Sequence, residues 1–151
     1  KTKIVIRLIT NGSYMTKLGV QEALSLISNF DHEVWFKIDR VHEEDIKITN
    51  QVNLTSSAVK KNLEASLRNN PTVIQTCLFK INNKLPSSES IDAYIDFLKL
   101  YDEKIKEIHL YSLARPSKQP NEIELSRLSE SELKSIEKKM KVLSTPTKIF
   151  S

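Results

Sequence analysis

The sequence predicts an α/β fold built on a parallel sheet. Apolar runs rich in Ile, Val and Leu recur four times along the 151 residues, and stretches with helical apolar spacing follow them. Turn-forming or polar residues end each run. Because parallel strands need long crossover connections, this rhythm predicts four parallel strands alternating with helices, in sheet order one to four, with the helices on one face.

The four apolar runs have the lengths of buried strands. In chain order, we predict strands over residues 4–10, 33–39, 73–79 and 107–113. Alternation in the second run places Val34 and Phe36 on one side, and Trp35, Lys37 and Asp39 on the other. We expect Phe36, Ile74 and Leu110 to line the inner face of the sheet, which the helices leave uncovered.

The segments between these runs carry apolar residues at helical spacing. We predict helices over residues 17–29, 42–48 and 56–69, one that begins near residue 88, and a last one that ends before Pro146. The last helix has the clearest start, since Ser129 and Glu132 have the spacing of a capping box. Residues 114–127 show no periodicity, which predicts a surface connection.

Length and composition are those of one globular domain over residues 1–151. The chain is 39% hydrophobic and 28% charged, and no apolar run approaches the roughly 18 residues that span a bilayer. The single cysteine, Cys77, excludes an intrachain disulfide and any zinc site built on several thiolates. We therefore expect a cytoplasmic protein without a membrane partner.

A net charge of +4 with a pI near 9.1 raises the question of nucleic acid. Lysines are spread along the chain among acidic residues, and the densest cluster is Lys134, Lys138, Lys139 and Lys141 on the polar side of the last helix. A solvated helix face is the favoured interpretation. An RNA-associated domain remains an alternative.

The chain opens inside an apolar strand, with no initiator methionine. A buried strand needs neighbours, so we expect this chain to be a fragment of a larger α/β protein whose N-terminal half is missing. The outer edges of the first strand and of the strand at 107–113 are then unpaired. Unpaired apolar edges recruit other strands, which predicts a homo-oligomer with contacts at the first strand.

Parallel α/β folds bind ligands at the carboxyl ends of their strands. The polar candidates there are Thr10, Asn11, Gly12, Lys37, Asp39, Gln75 and Arg115. Each has a structural alternative: Thr-Asn-Gly is a common turn, Lys37 and Asp39 form an ion pair, and Arg115 anchors its loop. The histidines His32, His42 and His109 lack metal-ligand spacing, so we expect neither a metal site nor a catalytic group.

Four segments together resemble a known family. ITNGS, VWFKIDR, PTVIQTCLF and IHLYSLARPSKQP occur in this order after the four strands. They resemble the second half of a radical S-adenosylmethionine (radical SAM) enzyme of the Fe–S oxidoreductase type. That family uses a TIM-like partial barrel of six β/α units, and the resemblance implies that this chain is the third to sixth units.

The resemblance also implies roles at the strand ends. Thr10, Asn11 and Gly12 match the family's third strand end. Lys37 and Asp39 match positions that contact the ribose and amino acid portion of S-adenosylmethionine. The region from Gln75 to Cys77 matches the strand that meets the adenine edge, largely through its backbone. Tyr111 and Arg115 match the strand and loop that shape the cofactor and substrate end.

One departure concerns the iron–sulfur cluster. The family signature Cys-x3-Cys-x2-Cys, which holds a [4Fe–4S] cluster, is absent, and three thiolates are needed to hold it. S-adenosylmethionine and the cluster are therefore implied only for the full-length parent, and we expect this chain alone to bind neither and to be inactive. The substrate stays unknown, and a stand-alone α/β binding or regulatory domain remains an alternative.

Overall fold

The fold is that of a computed structural model that describes residues 4–42, 46, 55–115 and 124–150. The strands are β1 (Ile6–Thr10), β2 (His32–Lys37), β3 (Thr72–Ile81), β4 (Ile105–Ser112), β5 (Leu125–Arg127) and β6 (Thr147–Phe150). The helices are α1 (Leu18–Ile27), α2 (Ser56–Leu67), α3 (Ser88–Lys99) and α4 (Glu130–Met140). The predicted α/β class is confirmed, and the predicted helix over 42–48 lies mostly outside the described residues.

The main sheet has five parallel strands in the order β1-β2-β3-β4-β6. It is open, because β1 and β6 are its two edges within the described part of the chain. The four predicted strands are present in the predicted order. The structure adds β6, which pairs with β4 over Ile108 to Tyr111, so the prediction that β4 has a free edge was wrong.

One carboxylate holds the start of β6 in place. Asp102 accepts hydrogen bonds from the Ser144 amide at 2.7 Å and hydroxyl at 3.0 Å, and from the Thr145 amide at 2.8 Å and hydroxyl at 2.5 Å. The Pro146 carbonyl then accepts from the Ile108 amide at 2.9 Å. A four-residue strand carries too little pattern to be recognised in sequence, and this distant contact orders it.

The core lies between the sheet and the helices. Its members alternate along the strands and meet one face of each helix: Val34, Phe36, Ile74, Leu78, Ile108 and Leu110 from the sheet, and Leu24, Leu63, Leu98, Leu133 and Met140 from the helices. The expected inner-face position of Phe36, Ile74 and Leu110 was therefore wrong, since these side chains are buried under the helices. Alternation defines two faces but does not say which one the helices cover.

A short antiparallel arm extends from β3. Its last residues, from Phe79 to Ile81, pair with β5, so the predicted aperiodic connection over 114–127 contains a strand at its end. Asn82 and Asn83 make the turn after β3 with φ of 49° and 62°. Asparagine tolerates positive φ better than most residues, which is why this turn ends β3. Residues 116–123 lie outside the described part of the chain.

Side-chain caps begin three of the helices. Thr55 and Ser87 accept from backbone amides at the starts of α2 and α3. The predicted capping box of α4 is confirmed: the Ser129 hydroxyl accepts from the Glu132 amide, and the Glu132 carboxylate accepts from the Ser129 amide. None of the helices in the described ranges is long and apolar enough to cross a bilayer.

The lysine cluster of α4 is on an exposed helix face, as the favoured interpretation predicts. Lys134 pairs with Glu130 at 2.6 Å, and Lys139 pairs with Asp92 of α3 at 3.4 Å. These acidic neighbours offset the positive charge that would attract phosphates. No observation therefore favours the RNA-associated alternative.

Candidate ligand site at the carboxyl edge of the sheet

The strand register brings several of the predicted side chains to neighbouring positions. Lys37 on β2 pairs with Gln75 on β3, and Cys77, two residues further along β3, pairs with Tyr111 on β4. Asp39 follows β2 directly, and its Oδ1 accepts from the Cys77 amide at 2.8 Å. Five side chains from three strands therefore meet at one edge of the sheet.

Two of these side chains have unused hydrogen-bonding capacity. Lys37 is exposed, Gln75 is partly buried, and neither side chain forms a hydrogen bond or an ion pair with another described residue. Lys37 is still near enough to Asp39 to favour its ionised form. A free ammonium beside a free carboxamide is an arrangement that can bind a polar ligand.

The carboxyl of Asp39 is in a mixed environment. Burial raises its pKa, and this effect outweighs the opposing effects of the Cys77 amide and of the Lys37 and Arg40 cations. Arg40 is itself buried, donates from Nη1 to the Asp39 carbonyl at 2.7 Å, and lies over the Phe79 ring at 5.2 Å. A cationic ligand group placed at this edge would therefore favour the ionised carboxylate.

Cys77 and Tyr111 are both held in their neutral forms. Burial, and then the Asp39 charge, raise the pKa of the Cys77 thiol to about 11. Burial, followed by Asp39 and Cys77, raises the pKa of Tyr111 as well. A thiol with a raised pKa is a poor nucleophile, which favours a packing role for Cys77. The edge is therefore equipped for binding rather than for nucleophilic catalysis.

The Thr-Asn-Gly turn after β1 has a packing role. The Thr10 hydroxyl accepts from the Gly12 amide at 3.0 Å, and the Asn11 side chain accepts from the Ser13 amide at 3.1 Å. Gly12 is buried with φ of +76°, and a Cβ there would lie 2.1 Å from Phe36 Cζ. The turn alternative explains these contacts, and a cofactor role for the three residues stays a prediction.

Arg115 ends one of the described ranges. It is exposed, and its side chain forms no hydrogen bond or ion pair with a described residue. Its proposed role also stays a prediction.

A polar and aromatic cluster that was not predicted from the sequence lies on the open face of the sheet. His109 donates from Nε2 to Glu107 Oε2 at 2.6 Å, and Glu107 Oε1 pairs with Lys148 at 2.5 Å. The His109 ring lies between Trp35 and Phe150, with centroids 5.1 Å and 4.6 Å away. Alternation along β4 does group Glu107 with His109, but β6 and the pairing across strands are visible only in three dimensions.

A second charged cluster lies towards the amino ends of the strands. Glu33 accepts from Arg7 at 2.9 Å, from the Trp35 indole at 3.0 Å and from Lys106 at 2.5 Å. The Lys106 hydrogen bond makes the largest contribution in lowering the pKa of Glu33 to about 2, against the effect of burial. Because its donors satisfy the carboxylate from three directions, this cluster has a structural role.

Two solved structures share this fold. A domain of pyruvate-formate lyase-activating enzyme from Bacteroides vulgatus ATCC 8482 matches with a TM-score of 0.66 and 11% identity, over 99% of this chain and 81% of that one. A radical SAM methyltransferase from Sphaerobacter thermophilus matches with a TM-score of 0.59 and 10% identity, over 96% of this chain and 40% of that one. The chain thus spans less than half the length of the methyltransferase.

Likeness at such low identity is evidence about the fold. It confirms the predicted fold class, an open parallel α/β sheet that is consistent with a partial TIM-like barrel. No family model and no curated protein matches the sequence.

Proposed function

We propose that the chain is a C-terminal part of a radical SAM enzyme, corresponding to the third to sixth β/α units, and that it forms half of the S-adenosylmethionine pocket. The observation that carries this proposal is the unpartnered side chain of Lys37 beside Asp39 at the carboxyl edge of a sheet with this fold. Ligands of open α/β sheets bind at that edge.

The proposed contacts follow the resemblance and fit the chemistry of the edge. S-adenosylmethionine carries a carboxylate, which suits the free Lys37 ammonium, and positive charges, which suit the partly buried Asp39. Gln75 and its backbone lie where the adenine edge is expected. The remaining proposed contacts are Thr10, Asn11 and Gly12 after β1, and Tyr111 and Arg115 at the substrate end.

The residues of this chain cannot hold a [4Fe–4S] cluster of the radical SAM type. Three cysteine thiolates hold a [4Fe–4S] cluster of this kind, whereas this chain has one cysteine, buried in β3. The cluster ligands belong to the missing N-terminal half in this proposal, and no step of cluster chemistry is assigned to the residues described here. We propose a cytoplasmic oxidoreductase as the parent and no activity for this chain alone.

Substitutions at the edge test the proposal in the complete protein. Lys37→Ala and Asp39→Asn are each expected to weaken S-adenosylmethionine binding about tenfold, since each removes one charge-assisted contact. Equilibrium dialysis with labelled S-adenosylmethionine measures the affinity, and visible absorbance reports whether the cluster remains. Asp39→Asn keeps an oxygen that can accept from the Cys77 amide, so the fold is preserved.

The matched control is Lys104→Ala, which removes an exposed lysine from the opposite end of the sheet, just before β4. It is expected to leave the affinity unchanged. Wild-type affinity in both edge variants would assign Lys37 and Asp39 to structure and would contradict the proposed pocket.

The β1 edge is the proposed contact with the missing half. Within the described part of the chain β1 pairs only with β2, and three large apolar side chains in or next to this strand are exposed: Ile4, Leu8 and Ile9. An unpaired edge beside apolar surface recruits another strand, so the chain alone is expected to form a homo-oligomer through this edge.

Sedimentation velocity at micromolar concentration tests this assembly. We expect a dimer or a larger species, and Ile9→Lys is expected to shift it towards monomer because it places a charge in the contact. A clean wild-type monomer would instead favour the stand-alone binding domain. That second candidate has one observation in its support, since β6 already covers the edge of β4.

A further inference from the structure

His109 has one ring nitrogen without a partner. The residue is 5% exposed, and its Nε2 is bonded to Glu107. Its Nδ1 is buried and has no hydrogen-bond partner among the described residues. Buried polar atoms are nearly always paired, so an orphan of this kind indicates a partner that the described residues do not supply.

Glu107 determines what Nδ1 can accept. Because the carboxylate accepts from Nε2, the ring proton is held there, and a neutral imidazole then has a lone pair on Nδ1. Lys148 pairs with the other carboxylate oxygen of Glu107, so Oε2 is left to accept from the ring. The missing partner is therefore a hydrogen-bond donor.

The surroundings of His109 restrict that donor further. The rings of Trp35 and Phe150 flank the imidazole, and Phe150 is 49% exposed on the edge strand β6. Gln75 is the register neighbour of His109 on β3, and its carboxamide forms no hydrogen bond with a described residue. The site thus has an acceptor in His109 Nδ1, a donor in the Gln75 amide group, and two aromatic surfaces in Trp35 and Phe150.

We propose that this part of the open face binds the neutral hydroxyl group of an aromatic or apolar ligand. The hydroxyl donates to His109 Nδ1 and accepts from the Gln75 amide, and the ligand frame packs against Trp35 and Phe150. A hydroxyl has both a donor and an acceptor, whereas an ether cannot donate and an ammonium cannot accept. The Phe150 ring turns about its side-chain bonds to admit the ligand.

This site goes beyond the proposed cofactor contacts and does not depend on them. His109 comes two residues before Tyr111 on β4, so its side chain is on the same face of the sheet but further from the carboxyl edge. The resemblance assigns the cofactor contact near Gln75 largely to the backbone, which leaves the carboxamide available. Binding here can therefore be measured without S-adenosylmethionine or a cluster.

Phenol and anisole form a matched pair of probes, since only phenol can donate. Each is titrated into the isotope-labelled chain, and the ring nitrogens of His109 and the indole of Trp35 are followed by NMR. We expect phenol to shift both signals and to bind roughly tenfold more tightly than anisole, the effect of one hydrogen bond. Equal affinities, or no shift at His109 with phenol, would overturn the proposal.

Three variants complete the test. His109→Phe keeps an aromatic ring, and Gln75→Met keeps the volume of the side chain, and each is expected to reduce the preference for phenol. His42→Phe changes an exposed histidine and is expected to leave the preference unchanged. Circular dichroism checks that each variant folds. If His109→Phe does not fold, the proposal is decided by Gln75→Met and by the affinities of the wild-type chain for phenol and anisole. A full preference for phenol in Gln75→Met would contradict the assigned contact.

Discussion

Gly12→Ala is expected to lower the free energy of unfolding by about 3 kcal/mol or more. The added Cβ would lie 2.1 Å from Phe36 Cζ and 2.4 Å from Cε2, and the Phe36 ring is 1% exposed, so it has little room to move. Overpacking of a core costs about 1–3 kcal/mol, and a φ of +76° adds strain for any residue with a Cβ. Urea unfolding followed by circular dichroism measures the loss.

Gly19→Ala is the matched control. Gly19 lies in the first turn of α1, and no atom lies within 4 Å of its added Cβ. Alanine has the higher helix propensity, so this variant is expected to be neutral or more stable by up to about 1 kcal/mol. A loss below about 1 kcal/mol in Gly12→Ala would show that the turn and the Phe36 ring rearrange, against the packing role argued for this residue.

Asp102→Ala is expected to cost about 2 kcal/mol and to release β6. The variant removes the acceptor of hydrogen bonds from both amides and both hydroxyls of Ser144 and Thr145. A hydrogen bond to a charged group contributes about 1.5–3 kcal/mol, and partial exposure to water reduces that figure. Trp35 is the chain's one tryptophan and lies near the β6 contact, so its fluorescence reports the release.

The effect of Asp102 depends on pH. Burial disfavours its charge, yet the hydrogen bonds from Thr145 and Ser144 outweigh burial and lower its pKa from 3.8 to about 2. Because the folded-state pKa is depressed, its stabilisation is complete above about pH 4 and is lost as the pH falls through 2. The difference in stability between wild type and Asp102→Ala should therefore shrink between pH 4 and 2.

Asp96→Ala is the control for that experiment. Asp96 pairs with Lys99 on the surface of α3, with 69% of its side chain exposed, and such pairs contribute little to stability. It should change the free energy of unfolding by less than about 0.5 kcal/mol at any pH. An equal effect of the two substitutions would mean that Asp102 does not order the β6 junction.

Local sequence pattern was enough to predict the main strands and helices and part of the candidate site. The strand–helix rhythm predicted the parallel order of the first four main strands, and the Ser129–Glu132 spacing predicted the start of α4. Polar strand ends predicted that Lys37 and Gln75 would lie at one edge of the sheet, where the strand register makes them neighbours, whereas Tyr111 was named only through the family resemblance. These predictions succeed because capping, alternation and strand direction depend on residues close together in the chain.

Only the tertiary structure decided the rest. The position of β6 depends on Asp102, 43 residues before Thr145, and a four-residue strand has no pattern of its own. Alternation places Phe36 and Trp35 on opposite faces of the sheet, but it does not say which face the helices cover. Only helix packing therefore decided which of the two side chains is buried. The His109 cluster likewise joins three strands that are distant in sequence, and long-range contacts of this kind leave no local signal in the chain.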